Sequence, residues 1–337
     1  MQYSTFAAID IGSYDVILEI FEISKKQGIR SVDKICHRME LGKDTYTLEK
    51  IRPEMEEELC RVLADFVRIM EGYRVDDYRA TASSAISEAS NSLYVLGKIH
   101  QLTGLSVTVL SNSEQRFLSY KALAAMEDNF NKIIEKGTAI LDLDGGSFQI
   151  SLFDKDALVT TQNIRMGSLR IRERLAGIQS ETEHYEEMVE ELIWNEVSSF
   201  KKMYLKDRKI ENIMLIGDVF TDSVYQNIEE KTTKIISREN FNTWYEKIIR
   251  QSPMELAVKL GIPLENASLM YPSAVIYKCL IDMMGAEHIW IPGVHMTRGI
   301  AYEYAEQMKL LKGGHNFEND ILMAAKNIGK RYAVNRP

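Results

Sequence analysis

Residues 139–153 read AILDLDGGSFQISLF. An apolar run ends in an acid, a Gly-Gly-Ser turn follows, and a second run alternates apolar and polar side chains, the pattern of two antiparallel strands joined by a tight turn. Residues 5–23, TFAAIDIGSYDVILEIFEI, repeat the plan. Asp10-Ile11-Gly12-Ser13 stands against Asp142-Leu143-Asp144-Gly145-Gly146-Ser147, and positions 10 and 142 lie 132 residues apart. A unit that occurs twice predicts two related domains. In each copy an aspartate ends a buried-looking strand. The turn beyond it offers backbone N–H groups to phosphate oxygens, while the carboxylate suits a metal ion or a polarised water. The competing reading, an aspartate that only caps its own turn, does not explain why the arrangement occurs twice.

Around the two hairpins, strands alternate with helices. Residues 53–73 place Met55, Leu59, Val62, Leu63, Phe66, Val67 and Met70 on one helical face, with Pro53 suited to the first turn. A strand at 78–84, a helix closed by Gly104, a strand LSVTVLS and a helix SEQRFLSYKALAAM follow. The second half carries a helix over 182–203 and strands IENIMLIG and HIWIPGV. This alternation indicates α/β domains. The expected boundaries are 1–130, 131–310 and 311–337, the last holding the amphipathic stretch FENDILMAAKNIGKRYAV beyond Gly313-Gly314.

Composition narrows the function classes. Apolar residues make up 45% and charged residues 27%, an ordinary globular composition, and 41 basic against 49 acidic side chains leave a net charge of −8. Such a field repels polyanions except at a local cationic patch, so nucleic-acid binding is not expected. Arg165, Arg170, Arg172, Arg174 and KKMYLKDRK at 201–209 are cationic, but only Arg170 reads as more than a solvated face. Cys36, Cys60 and Cys279 show no CxxC spacing, no basic-then-apolar leader opens the sequence, and no apolar run approaches the ~18 residues of a membrane span. A cytoplasmic protein without membrane contact is expected. The histidines show no zinc-ligand spacing.

Five segments, in order, resemble the exopolyphosphatase / guanosine pentaphosphate phosphohydrolase (Ppx/GppA) family of the actin-like ATPase superfamily. AAIDIGS is similar to its first phosphate motif, TASSAISEASN to "ATSALRDAxN", VTVLSNSEQRFLSY to "IISGxEEARLxY", LDLDGGSFQI to "IDIGGGSTEL", and RMGSLRIRERL to "LGxVRLTER". The resemblance implies two actin-like (ribonuclease H-like) α/β domains whose duplicated hairpins face a central cleft. It implies hydrolysis of the terminal phosphate of polyphosphate or guanosine pentaphosphate with Mg2+. The closing stretch is similar to the start of the helical third domain of long members. Carried over residue by residue, Gly12, Ser13, Gly145, Gly146, Ser147, Gly167 and Arg170 would bind phosphate. Asp10, Asp142, Asp144 and Gln149 would stand around the metal, and Glu114, Gln115 and Asp142 at the reacting water.

The departures from the family pattern fall on the chemistry. Where the family has the glutamate thought to activate water, this chain has Gln115; where it has the glutamate that helps hold the metal, this chain has Gln149. An amide accepts no proton at neutral pH and brings no charge to a cation. Tyr14 and Asp15 replace an asparagine and a serine, Ser87 and Thr297 replace arginines (Arg298 lies next door), and Gly217-Asp218-Val219-Phe220-Thr221 replaces a glycine-rich turn. The expectation is a phosphoanhydride-binding protein of this family with hydrolysis weakened or lost. Two alternatives stay open: an active enzyme rewired through Glu114 and Asp144, and a non-catalytic regulatory protein. A nucleotide-dependent kinase or ATPase is disfavoured by the bulky 217–221 turn. A phosphorylated small molecule or polyphosphate is the expected ligand, and a homodimer is left open.

Overall fold

The computed structural model describes residues 3–126, 130–155, 157–176, 185–205, 208–217, 220–221, 223–224 and 235–311, with positions 322, 326 and 329. The start of the helix expected over 182–203, positions 218–219 of the 217–221 turn and nearly all of the expected C-terminal helix lie outside these residues. Two compact units emerge: Met1–Ala125 with Val294–Gly314, and a second that runs from Met126 to Gly293.

The first unit holds β1 (Ser4–Ile11), β2 (Asp15–Ser24), β3 (Gly28–Arg38), β4 (Asp77–Ala82) and β5 (Val107–Val109), in the order β3-β2-β1-β4-β5. The second holds β6 (Thr138–Leu143), β7 (Phe148–Asp154), β8 (Ala157–Ile164), β9 (Asn212–Ile216), β10 (Ile235–Ser237) and β11 (His288–Trp290), in the order β10-β11-β9-β6-β7-β8. In both, an antiparallel three-strand meander is extended through its first strand by parallel strands, β1 to β4 to β5 and β6 to β9 to β11. The duplication legible at 10 and 142 thus extends over both sheets. The sequence reading found the first two strands of each meander but not the third. β3 alternates exposed and half-buried residues and is rich in charge, so no apolar period marks it.

β1 is covered on both faces, which is why TFAAIDI reads as a continuous apolar run. Ala7, Ile9 and Ile11, with Val16, Leu18 and Ile20 of β2, share a core with Leu59, Leu63, Phe66 and Met70 of the helix Pro53–Tyr73. Phe6, Ala8, Phe21 and Ile23 pack instead on Ile300, Ala301, Tyr304 and Ala305 of the helix Met296–Gln307. Phe6 and Tyr304 stack with ring centroids 4.1 Å apart. This second face accounts for a difference from the expected boundaries: residues 294–310, grouped by sequence with 131–310, supply the missing half of the first unit's core.

Gly299 makes that docking possible, because a Cβ there would lie 2.1 Å from the carbonyl oxygen of Leu118 on the helix Asn112–Met126. In an open helix, Gly299→Ala would stabilise by up to about 1 kcal/mol. Here the clash is with backbone, and the substitution is expected to destabilise by about 1–3 kcal/mol in a urea unfolding experiment. A stabilising result would show that the helix does not approach so closely.

Candidate functional site

In the second unit, β6 brings Asp142 opposite Gln149 of β7, and Gln149 stands opposite Asn163 of β8. Residues directly opposed in antiparallel strands share a face, with Cβ atoms about 4.5–5.5 Å apart. The three therefore form one polar row at the turn end of the sheet. Ser151 and Thr161, whose hydroxyls meet at 3.2 Å, continue the polar face one step down.

The turn itself closes with Asp144 N–H donating to Ser147 O at 2.9 Å, and the first hairpin makes the same bond, Gly12 N–H to Asp15 O, also at 2.9 Å. Behind the second turn, Gly167 precedes the helix Ser168–Leu175. A Cβ on Gly167 would sit 2.2 Å from Asp144 O and 2.4 Å from Gly145 O, so only glycine lets the helix start there. Arg170 N–H donates to Gly145 O at 2.9 Å and Arg170 Nε to Gly146 O at 2.8 Å. Asp144 Oδ1 accepts from Gly145 N–H at 2.6 Å. The carbonyls of the turn are thereby taken up from behind, while the N–H groups of Gly146 and Ser147 make no hydrogen bond among the described residues. That polarity suits an anion. Gly217, at φ 72°, closes over the end of β6: a Cβ there would lie 2.4 Å from Leu143 O. Beyond it, Phe220 faces inward against Phe241 and Tyr277, with centroids at 5.8 and 5.4 Å.

Two acceptors in the polar row are unmet. Gln149 is 5% exposed, and its Oε1, like Oδ1 of Asn163, is buried with no hydrogen-bond partner. An acceptor left so costs about 1–3 kcal/mol, and only a donor or a cation relieves it. Among the described residues no group of three or more His, Cys, Asp or Glu side chains could hold a metal ion. Asp142 with the two amide oxygens remains compatible with a cation that takes its other oxygens from water and phosphate, as Mg2+ commonly does.

In the first unit the hydroxyls around the turn bond one another. Ser13 is fully buried, and its hydroxyl meets Tyr46 OH at 2.6 Å and Ser84 Oγ at 3.1 Å, while Tyr46 OH and Ser84 Oγ lie 2.9 Å apart. Asp10 ends β1 opposite Ile17, a position where the second hairpin carries Gln149. Asp15 pairs with Arg38 at 2.6 Å, and Arg38 lies over the Tyr14 ring at 5.2 Å. Burial pushes the Asp15 carboxyl above its usual range, with Arg38 opposing the shift. Thr297 donates to the buried Glu19 at 2.5 Å, and the Nε of neighbouring Arg298 is buried without a hydrogen-bond partner. Glu114 is exposed and caps its helix: Ser111 N–H and Oγ both donate to its carboxylate, at 2.8 and 2.7 Å, and Glu114 N–H returns to Ser111 Oγ at 3.3 Å. Those bonds, the hydroxyl first, hold its pKa below the usual value. Gln115 is buried, and its amide makes no hydrogen bond among the described residues.

With this geometry in place, known proteins bear on it. The model of the Ppx/GppA phosphatase family matches residues 20–308. The chain belongs to that family. Two solved structures share the fold at 18% identity. One is an exopolyphosphatase from Cytophaga hutchinsonii, with TM-score 0.79 over 90% of this chain and 98% of that one. The other is the Ppx/GppA family member of Aquifex aeolicus, with TM-score 0.72 over 91% and 99%. The actin-like fold expected from sequence is therefore the fold of this chain. A bifunctional 3-dehydroquinate synthase/phosphatase of Fusobacterium nucleatum is 21% identical over 310 residues, 84% of this chain and 44% of that protein. The chain thus spans less than half the length of that relative.

Sequence reasoning did not find Asn163, the Tyr46 and Ser84 hydroxyls that close on Ser13, or the Arg38 partner of Asp15. Asn163 and Arg38 lie on the third strands that carried no apolar period, which is the reason they were missed.

The first turn also sets a thiol. Cys36 Sγ donates to Asp15 Oδ2 at 3.4 Å, and burial together with the Asp15 charge pushes the thiol up to about 12, although the residue is exposed. At pH 8 its alkylation by iodoacetamide is expected to run at least about a hundredfold slower than that of a free cysteine, and Asp15→Asn is expected to speed it. Rapid labelling of the wild type would show that the Cys36–Asp15 contact does not form. Separately, Ser111→Ala and Glu114→Ala are each expected to cost about 0.5–2 kcal/mol of stability and to combine less than additively, as members of one cap do. Full additivity in denaturant titrations would remove the cap.

Proposed function

We propose that the turn at 144–147 binds the phosphoryl groups of a phosphorylated small molecule or polyphosphate, and that hydrolysis of the terminal phosphate is weak or lost. The carrying observation is the pairing of an anion-ready turn with a neutral amide. The N–H groups of Gly146 and Ser147 are unengaged, whereas the strand position next to Asp142 holds a buried glutamine with an unmet oxygen. The family resemblance assigns a glutamate there and a second one at Gln115. Mg2+, when bound with phosphate, would supply positive charge to the phosphoryl oxygens, with Asp142 the residue of this chain to hold it. Arg170 positions the turn by gripping Gly146 O, and its backbone N–H holds Gly145 O.

General-base assistance is worth about 10²–10⁴ in rate, and neither amide provides it. The rewired alternative finds less support. Glu114 spends its carboxylate on a helix cap that lowers its basicity, and Asp144 accepts from Gly145 N–H within its own turn. A phosphate binder with a regulatory role is the reading these residues favour.

Phosphate release from long-chain polyphosphate and guanosine pentaphosphate, with Mg2+ or Mn2+, tests it. The wild type is expected to stay near background, and Gln115→Glu/Gln149→Glu to release phosphate at least tenfold faster. Robust wild-type turnover that disappears in Asp144→Asn or Glu114→Gln would establish the rewired enzyme instead.

A further inference from the structure

We propose that Asn163 is an oxygen donor of a divalent-cation site in the row Asp142, Gln149, Asn163, and that this site fills only together with an anionic phosphate at the 144–147 turn. The inference rests on reading that turn as a phosphate cradle.

Three observations carry it. The row is contiguous, since Gln149 is the direct cross-strand neighbour of both Asp142 and Asn163. Two of its members present carbonyl-type oxygens that are buried and have no donor, and one of these side chains, Gln149, is 5% exposed. The row also lies at the turn end of its strands, where β6 and β7 lead into the turn whose Gly146 and Ser147 N–H groups make no hydrogen bond among the described residues. Such oxygens are met by a donor or by a cation, and amide carbonyls are ordinary ligands of hard divalent ions. Asn163 is also the residue whose placement is set by strand register alone. A slip of one residue in β8 would turn it to the other face.

Charge decides how the site fills. Asp142 is the row's one formal negative charge, because both other members are amides. A small hard cation surrenders its water reluctantly to so weakly charged a set. A phosphate at the adjacent turn supplies the missing negative charge and further oxygens, so cation and anion each raise the other's affinity by the same factor.

The probes are Mn2+ and inorganic phosphate, with bound Mn2+ read by loss of its free electron paramagnetic resonance signal and phosphate binding read by calorimetry in metal-free buffer. For the wild type, phosphate is expected to raise Mn2+ affinity at least tenfold. Asn163→Ala is expected to remove most of that gain while leaving metal-free phosphate binding unchanged. Asn163→Asp, which adds a carboxylate to the row, is expected to bind Mn2+ without phosphate. Unchanged Mn2+ affinity in Asn163→Ala, with phosphate binding intact, overturns the role of Asn163 alone. Failure of the folded wild type to bind phosphate in metal-free buffer overturns the phosphate cradle, and the co-dependence falls with it.

Discussion

No side chain fits between Gly167 and the turn at 144–147, where a Cβ would lie 2.2 Å from Asp144 O. This close approach organises the second unit. It brings the chain back from β8 to the end of β6, the strand on which Asp142 stands beside Gln149 and, one strand further, Asn163. It also sets the helix Ser168–Leu175 against the turn, so that Arg170 takes the carbonyls of Gly145 and Gly146. A turn whose carbonyls are bound from behind presents its N–H groups in front. The polarity of the turn, which suits an anion, is therefore a consequence of packing, and no charged side chain has to reach into the turn to create it.

The two hairpins share a turn bond at identical length yet have diverged in what surrounds it. In the first, the hydroxyls of Ser13, Tyr46 and Ser84 satisfy one another, and Asp15 is neutralised by Arg38. Every one of these groups is satisfied without a ligand. In the second, acceptors and donors are left over on both the strand row and the turn. Unsatisfied buried polar atoms are uncommon in folded proteins because each one costs stability, and two of them, Gln149 Oε1 and Asn163 Oδ1, belong to directly paired residues of this row.

Much of this was legible in the sequence. The two DxG-type turns, the spacing of 132 and the helical stripe from Leu59 to Met70 each follow from strong local periods, and the duplication they announce extends to both sheets. What escaped was held by strands with no such period. β3 and β8 sit on the outside of their meanders, β3 alternating exposed with half-buried residues and β8 mostly half-buried and polar, and their residues Arg38 and Asn163 could not be placed without the register. Glu114 was ambiguous for a different reason. An acid three residues after a serine before a helix is a capping box in any protein, and the sequence pattern that suggested a base is equally that of a cap. The second unit's boundary was obscured because the helix that completes the first unit's core comes after position 294.

The amide at Gln149 also changes how binding relates to folding. A glutamate buried to the same degree, with no donor nearby, would either take up a proton or require a cation to remain charged, because an unpaired buried carboxylate is far more costly than an unpaired amide oxygen. Such a site ties the stability of its sheet to metal and to pH. With glutamine the unmet oxygen costs only about 1–3 kcal/mol, which a sheet packed on both faces of β6 and β7 can carry. On the proposed reading the fold does not depend on a cation, and the free energy of ligand binding is available to change the population of the liganded state. It is not consumed in holding the sheet together. On the proposed reading, the glutamine that offers no charge to a cation is also what makes an empty site inexpensive, which is the property a responsive binder needs.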